Sequence, residues 1–212
     1  MKARGKFITF EGGEGCGKST QIRLLKAALE SEGLEVVQTR EPGGTPLAET
    51  IRGLVKNEFS DAPCDRTEVL LFLAARAQLV SNVIEPALAA GKWVISDRFS
   101  DSTLAYQGYG RGLPLDDLRL MNGFACGGLK PDLTFLLDVE PEVSRERMHA
   151  RENSTGVAAD RIEKAGDEFH ARLREGFATL AAAEPDRIAV IDANGSESDV
   201  QEAVWKSLKR IR

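Results

Sequence analysis

The sequence is poor in cysteine, has no large excess of charge and lacks a long apolar run. Its three cysteines, Cys16, Cys64 and Cys126, are far apart and form no C-x-x-C pair, which argues against a redox or metal motif and predicts reduced thiols. The net charge of −5 argues against DNA or RNA as the main partner. Glu11 ends the N-terminal apolar run too early for a signal peptide, and no run approaches the roughly 20 apolar residues of a transmembrane helix. We therefore expect a cytoplasmic protein without a nucleic-acid or membrane partner.

The length of the chain and its composition indicate one globular domain. The 212 residues are enough for a sizeable core, and 42% hydrophobic with 29% charged residues is typical of globular proteins. The sequence contains no internal repeat and no low-complexity linker. We expect a single domain that spans residues 1–212.

Strand-like and helix-like segments alternate along the chain. This order predicts an α/β fold in which a five-stranded parallel sheet is covered by helices on both faces. The predicted strands are 6–11, 35–39, 93–96, 133–137 and 188–191. Helices are predicted over 18–31, 46–56, 66–90 with a kink at Pro86, from about 141, 160–183 and 198–209. A glycine-rich loop and a helix together are predicted to occupy 102–124.

The strongest motif is Gly12-x-x-x-x-Gly17-Lys18-Ser19, which follows a strand and opens a helix. In this phosphate-loop pattern, glycines let backbone N–H groups face phosphate oxygens, the lysine reaches the β- and γ-phosphates, and the hydroxyl can bind Mg²⁺. We predict an ATP- or GTP-binding loop made of Gly12, Gly13, Glu14, Gly15, Cys16, Gly17, Lys18, Ser19 and Thr20. The alternative is a glycine-rich turn without a ligand. Cys16 is either a small loop residue or a reactive thiol.

Other candidates follow the remaining strands, because ligands of open parallel sheets bind beyond the carboxyl ends of the strands. They are the segment 40–44, the pair Asp97 and Arg98 with the loop to Arg111, and Asp138 with a helix that carries Arg145, Arg147, His149 and Arg151. If they converge on the phosphate loop, they supply an acidic metal partner and several arginines. Such a site is suited to phosphoryl transfer between two phosphate-bearing ligands.

Asp97 and Arg98 come directly after an apolar strand. An aspartate at this place can hold the Mg²⁺ shell, and the arginine beside it suggests an anionic acceptor. The alternative for this pair is a salt bridge at the end of a strand.

Phe72 and Arg76 are four residues apart on a predicted helix, so they share a face. An aromatic ring beside an arginine can stack on a nucleobase and hydrogen-bond its edge. By itself the pattern is weak, since a phenylalanine in an apolar run more often belongs to the core and the arginine is more often a solvated charge.

The segment 145–161 is rich in arginine and ends in a polar stretch. We predict a lid that closes over the nucleotide, with its tip at about 153–159. The alternative is a charged helix face in solvent.

Several segments resemble bacterial thymidylate kinases, in order and over nearly the whole chain. They are TREPGGTPLAE at 39–49, FLAARAQ at 72–78, SDRFSDSTLAYQGYGRG at 96–112, KPDLTFLLDVEPE at 130–142 and DRIE at 160–163. The resemblance implies a phosphate-loop nucleoside monophosphate kinase fold with a lid. It also implies the reaction of ATP–Mg²⁺ with dTMP to give ADP and dTDP, on the route to dTTP, by a cytoplasmic homodimer.

The resemblance also implies roles for individual residues. The dTMP-binding residues would be Glu14, Glu41, Arg52, Phe72, Arg76, Arg98, Thr103 and Gln107, the metal residues Ser19 and Asp97, and the catalytic residues Lys18, Arg98, Arg147, Arg151 and Arg161. Some family members carry an arginine inside the phosphate loop, where this chain has Gly15. The chain thus resembles the type that takes the catalytic charge from the lid. It departs from the family pattern in its long segment 152–159 and in His149, which stands where an arginine is expected.

Two other functions remain open at this point. A kinase for another nucleoside monophosphate or for a deoxynucleoside would use the same phosphate loop. A nucleotide switch or ATPase without a small-molecule acceptor would also need that loop, although the guanine-reading string N-K-x-D is absent from the sequence.

Overall fold

The computed structural model describes residues 4–57, 61–155 and 166–212. Its centre is a five-stranded parallel sheet with the strand order β2-β3-β1-β4-β5. The strands are β1 (Phe7–Glu11), β2 (Val36–Arg40), β3 (Trp93–Asp97), β4 (Leu133–Asp138) and β5 (Ile188–Asp192). The predicted fold class is confirmed, and each strand lies within one residue of its predicted bounds.

Strand β1 is central because both of its faces and both of its edges are covered. All five of its residues are buried, and it pairs with β3 through Phe7↔Val94 and with β4 through Ile8↔Leu133. The polar side chain of Thr9 is satisfied by a hydrogen bond of 2.7 Å between the hydroxyls of Thr9 and Thr134. The loop that leaves this strand therefore starts from the most constrained part of the sheet.

Helices cover both faces of the sheet. They are α1 (Lys18–Ser31), α2 (Pro46–Lys56), α3 (Asp65–Leu79), α4 (Glu85–Ala89), α5 (Ser100–Thr103), α6 (Leu115–Ala125), α7 (Pro141–Thr155), α8 (Asp167–Ala183) and α9 (Glu197–Leu208). Helices α1 and α9 pack on the face that carries Ile8 and Phe10, whereas α3, α6 and α8 belong to cores on the opposite side. Parallel strands buried on both faces explain the nearly continuous apolar runs of β1 and β4.

The predicted helix 66–90 is interrupted before its proline. A π-helical segment, Val80–Ile84, joins α3 to α4, and Pro86 lies at the start of α4. Pro86 cannot donate to the carbonyl one turn earlier and its ring crowds that carbonyl, so the wider π turn lies directly before it. Gly91 ends the stretch with a φ of +79°.

The same stretch, Asp65–Ala89, corrects the expectation that no segment has the length and apolar character of a membrane span. It is 25 residues long and reaches a mean hydropathy of 1.3. Its residues Val69, Leu73 and Leu79 are buried within the protein. A core helix can have the same length and hydropathy, so these two properties are weak evidence for a membrane span.

The glycine-rich segment expected as a loop is helical. Helix α5 begins at Ser100 and continues as a π-helical segment, Leu104–Gly110, before α6. A Cβ atom on Gly110 would lie 2.5 Å from the ring of Phe169 on α8. This glycine therefore permits close helix packing, which local propensity does not reveal.

The predicted lid corresponds in part to α7. The helix runs from Pro141 to Thr155, so the polar stretch that begins at 152 does not interrupt it at once. The rest of the predicted lid, including Arg161, lies outside the described residues, and α8 begins at Asp167.

Candidate active site

A cavity of about 560 Å³ lies beyond the carboxyl ends of β1, β2 and β3. The phosphate loop and α1 form one part of its wall. The rest comes from α2, α3, α5, the π-helical segment that follows α5, α7, α9 and the loops after β2, β3 and β5. It brings together most of the predicted site residues, namely Glu14, Gly15, Cys16, Gly17, Lys18, Ser19, Thr20, Glu41, Arg52, Phe72, Arg76, Asp97, Arg98, Thr103, Gln107, Arg147 and Arg151. Gly12 and Gly13 do not line this cavity and lie on the side of the loop that faces β4 and α7.

The phosphate loop is packed so tightly that two of its glycines admit no side chain. Gly12 has a φ of +129°, and a Cβ atom there would lie 2.4 Å from the carbonyl oxygen of Leu137. Gly15 has a φ of +67°, and its Cβ would lie 2.6 Å from the carbonyl oxygen of Ser144 on α7. The loop is therefore fixed against β4 on one side and against α7 on the other.

Lys18 begins α1 and turns its ammonium group back over the loop. Its Nζ donates to the carbonyl oxygens of Gly13 at 2.7 Å and Gly12 at 3.2 Å. The Sγ of Cys16 lies 3.4 Å from the same Nζ, and Cys16 is buried. The positive charge is thus held at the mouth of the loop, where a phosphate chain would lie. The burial of Cys16 favours its interpretation as a small loop residue.

Ser19 and Asp97 meet at the metal position that the sequence predicts. The Ser19 Oγ lies 3.4 Å from the Asp97 Oδ2, and both residues line the cavity. A hydroxyl and a carboxylate side by side are hard oxygen ligands of the kind that Mg²⁺ takes together with phosphate oxygens and water. No group of three or more His, Cys, Asp or Glu side chains suited to a metal occurs among the described residues. Two protein oxygens are too few to hold a metal ion alone, so Ser19 and Asp97 fit a Mg²⁺ ion that is bound mainly by the phosphates of a nucleotide.

Arg98 lies in a strained turn that directs its guanidinium to the phosphate loop. Its φ is +72°, in the left-handed region that side chains other than glycine rarely adopt. Its Nη1 donates to the Gly12 carbonyl at 2.9 Å, its Nη2 donates to Glu14, and the guanidinium lies 4.9 Å from the ring centre of Tyr106. Burial raises the pKa of Glu14, but the charges of Arg98, Lys18 and Arg151 outweigh it and lower this pKa to about 2.

The strained turn is held by Glu11, a residue outside the motifs that predict the site. One carboxylate oxygen accepts from the Phe99 N–H at 2.8 Å, and the other accepts from the Ser102 hydroxyl at 2.6 Å. Burial, together with the nearby charge of Asp101, raises the pKa of Glu11 to about 7. An acid at the end of a wholly buried strand is the signal that could have identified it.

Phe72 and Arg76 both line the cavity, as their spacing predicts, but they differ in exposure. Phe72 is half-buried, whereas Arg76 is 1% exposed. The Arg76 Nε and Nη2 donate to Glu41, and Nη1 donates to the Thr103 hydroxyl at 2.8 Å. Further bonds to the Asn122 side chain and the Phe99 carbonyl occupy the rest of its five N–H groups. In this structure Arg76 therefore fixes Glu41 and Thr103, and its bond to a base edge stays a prediction.

The lid arginines differ in what they contact. Arg147 donates to the carbonyls of Ala193 at 2.9 Å and Gly195 at 3.2 Å, in the loop after β5. Arg151 lines the cavity and is close enough to Glu14 to lower its pKa. Arg145 is exposed, pairs with Glu142 at 2.8 Å and lies outside this cavity, which corrects the expectation that it converges with the others.

The comparisons with known proteins agree with one another. A family model described as thymidylate kinase matches residues 10–204. A thymidylate kinase of Solidesulfovibrio magneticus is 51% identical over 201 residues, which cover 94% of this chain and 96% of that protein. One of Synechococcus sp. strain JA-2-3B'a(2-13) is 52% identical over 199 residues, covering 94% and 92%. The crystal structure of thymidylate kinase from Ehrlichia chaffeensis superposes with a TM-score of 0.78 at 35% identity, covering 97% of this chain and 99% of that one.

Proposed function

We infer that this chain, which belongs to the thymidylate kinase family, transfers a phosphoryl group from ATP to dTMP in the cavity described above. The observation that carries this inference is that one cavity has a phosphate loop in one part of its wall and Phe72, Thr103 and Gln107 in another. A donor and an acceptor can thus meet within one site, where positioning and charge neutralisation do most of the catalytic work.

The nucleotide part of the cavity would hold ATP. We propose that backbone N–H groups of the phosphate loop bind the phosphates and that Lys18 neutralises the charge that moves between them. Ser19 and Asp97 would hold Mg²⁺, whose charge would offset the negative charge of the phosphates.

The acceptor part of the cavity would hold dTMP. We propose that Phe72 stacks on thymine, that Thr103 and Gln107 complete the base contacts, and that Glu14 lies near the sugar. Arg52 and Arg98 would bind the acceptor phosphate. The Nη1 of Arg52 already donates to the Pro42 carbonyl at 2.8 Å, which directs this side chain across the cavity wall.

We propose that the charge on the transferred group is neutralised from the lid. A side chain at Gly15 would meet the carbonyl of Ser144 on α7, so an arginine at this loop position has no room here. Arg147 and Arg151 lie on α7 and line the cavity. This arrangement supports the type that lacks an arginine in the phosphate loop, within a single domain whose lid covers about 145–161.

The acceptor test is turnover of ATP–Mg²⁺ with dTMP, dUMP, UMP, CMP, AMP, GMP and thymidine, measured as ADP formed. We expect the highest kcat/KM with dTMP and a value about 10 to 200 times lower with dUMP, which lacks one methyl group. Thymidine should be inactive because Arg52 and Arg98 would have no phosphate to bind. Preference for thymidine would favour a deoxynucleoside kinase, and equal hydrolysis with and without an acceptor would favour an ATPase.

We further propose that the protein acts as a homodimer in the cytoplasm, without a nucleic-acid or membrane partner. Helices α3 and α6 pack together and expose Leu70, Leu120 and Phe124, with Phe124 91% exposed. Neighbouring apolar side chains on two adjacent helices are typical of a surface that a second copy covers.

We expect Phe124→Asp to shift the protein from dimer to monomer in sedimentation velocity, because a charge would be buried in the contact. Because the Phe124 side chain is exposed, the substitution should hardly change the stability of a single chain. Any fall in the thermal midpoint should therefore come from the loss of dimerisation. Val190→Asp places the same charge at an exposed apolar position on β5, away from α3 and α6, and should leave the dimer intact. A wild-type monomer, or a dimeric Phe124→Asp protein, would contradict the proposal.

A further inference from the structure

A buried acid, Glu68, lies behind the acceptor part of the cavity. It is on α3, one turn before Phe72, and it is 1% exposed. One of its oxygens, Oε1, accepts a hydrogen bond of 3.0 Å from the Nε2 of Gln107. Its other oxygen, Oε2, lies 3.4 Å from the Nη2 of Arg111, which forms an ion pair with it. Glu68 does not line the cavity, but Gln107 does.

The charge of Glu68 decides which way the Gln107 amide faces. A carboxylate paired with a guanidinium can only accept hydrogen bonds, so it must meet the NH₂ group of the amide and not its oxygen. The two orientations of a glutamine amide have almost the same shape, and only their partners distinguish them. Within the part of the chain that the structure describes, the bond to Glu68 is the one that the Gln107 side chain makes. The amide oxygen is therefore left to face the cavity.

We propose that Glu68 is a specificity-determining positioning residue, which holds the oxygen of Gln107 toward the base and so selects pyrimidines that donate from N3. This inference rests on the base pocket proposed above. Thymine and uracil carry N3–H, which the Gln107 oxygen can accept. Cytosine has an acceptor at N3, so two acceptors would face each other and the base would leave a buried group unpaired.

The same logic separates two kinds of discrimination. Thymine and uracil are identical at N3 and differ only in the 5-methyl group, which the Gln107 amide does not distinguish. Glu68 therefore acts on the choice between dTMP and dCMP and has no effect on the choice between dTMP and dUMP. A residue with a merely structural role would change the rates for all three acceptors together.

The test is Glu68→Gln, measured as kcat/KM with dTMP, dUMP and dCMP. The new amide can donate to the Gln107 oxygen as well as accept from its NH₂, so Gln107 can turn over. We expect the ratio of dTMP to dCMP to fall by about tenfold or more, which corresponds to one hydrogen bond, while the ratio of dTMP to dUMP stays within about twofold. Glu68→Asp keeps a carboxylate and should retain most of the preference against dCMP.

Two further variants make each outcome decisive. Asp65 is a second acidic neighbour of Arg111, with its Oδ1 3.6 Å from the Arg111 Nε, but its side chain is exposed. Asp65→Asn should therefore leave the ratios of dTMP to dCMP and of dTMP to dUMP unchanged. Glu68→Gln leaves the charge of Arg111 without its buried partner and so can prevent folding, whereas the double variant Glu68→Gln/Arg111→Gln removes both charges. If the single variant does not fold, the double variant should show the same loss of preference for dTMP over dCMP.

Gln107→Leu distinguishes failure of this inference from failure of the proposed base pocket. If Gln107→Leu abolishes the preference against dCMP while Glu68→Gln retains it, the role of Glu68 is overturned and the pocket stands. If Gln107→Leu changes neither ratio nor the rate with dTMP, the pocket itself is wrong. A parallel loss with all three acceptors in Glu68→Gln would also overturn the inference.

Discussion

Lys18→Ala is expected to lower kcat by roughly a thousandfold. The ammonium lies at the mouth of the loop, 2.7 Å from the Gly13 carbonyl, where the charge of a phosphate chain would concentrate. Because the charge shifts during transfer, the lysine should stabilise the transition state more than bound ATP. The measurement is steady-state turnover with dTMP, together with the KM for ATP, which should change much less than kcat.

The control for this substitution lies on the same helix. Lys26 is also on α1 and pairs with Glu30 at 3.8 Å, away from the cavity, so Lys26→Ala should keep full turnover. Both variants should retain the circular dichroism spectrum of the wild type, because neither lysine belongs to the apolar core. Normal turnover by Lys18→Ala would contradict the proposed role of Lys18 in the reaction and the assignment of the loop to the donor nucleotide.

The loop was predictable because all its parts are local. A strand, a glycine pattern and a helix within about 20 residues specify where Lys18 and Ser19 lie, and no distant contact is needed. The convergence of Asp97 and Arg98 on the loop follows equally from the parallel sheet, since parallel strands end at one edge. The parallel sheet and the edge at which the cavity lies could therefore be predicted from the alternation of elements, whereas the strand order could not.

The partners of buried polar side chains could not be predicted in this way. Arg76 reaches Glu41 across 35 positions of sequence, and Gln107 reaches Glu68 across 39. These pairs depend on how α3 packs against the end of β2 and against the π-helical segment, which a local pattern does not specify. The helical conformation of the glycine-rich segment could not be predicted for the same reason, because the contact that requires Gly110 is with Phe169, far along the chain.

The helical periodicity of α7 could have predicted which of its arginines face the cavity. Arg147 and Arg151 are four residues apart and so share one face of α7, whereas Arg145 precedes Arg147 by two and lies on another face. The structure agrees, since the first two line the cavity and the third is exposed beside Glu142. Phase alone does not say which of Arg147 and Arg151 meets the transferred group.

We expect Arg151→Ala to lower kcat by roughly a thousandfold, with KM for ATP changed much less. Arg151 lines the cavity and its charge acts on Glu14 of the phosphate loop, so it lies close to the place where we propose that the phosphoryl group moves. Arg147 is instead bound to the carbonyls of Ala193 and Gly195. Arg147→Ala should therefore raise the KM for ATP more than it lowers kcat. The measurement is kcat and KM for both substrates in each variant.

Arg145→Ala is the matched control, because it removes an arginine from the same helix and leaves the cavity unchanged. Its kcat should equal that of the wild type. Equal losses in kcat and in dTMP affinity for Arg151→Ala would indicate simple binding of the acceptor rather than stabilisation of the transition state. An unchanged kcat would exclude Arg151 as the source of the charge and leave Arg147 and Arg161 as the candidates. The ratio of the two kinetic effects, rather than the loss of activity alone, thus distinguishes a catalytic lid from a lid that only covers the nucleotide.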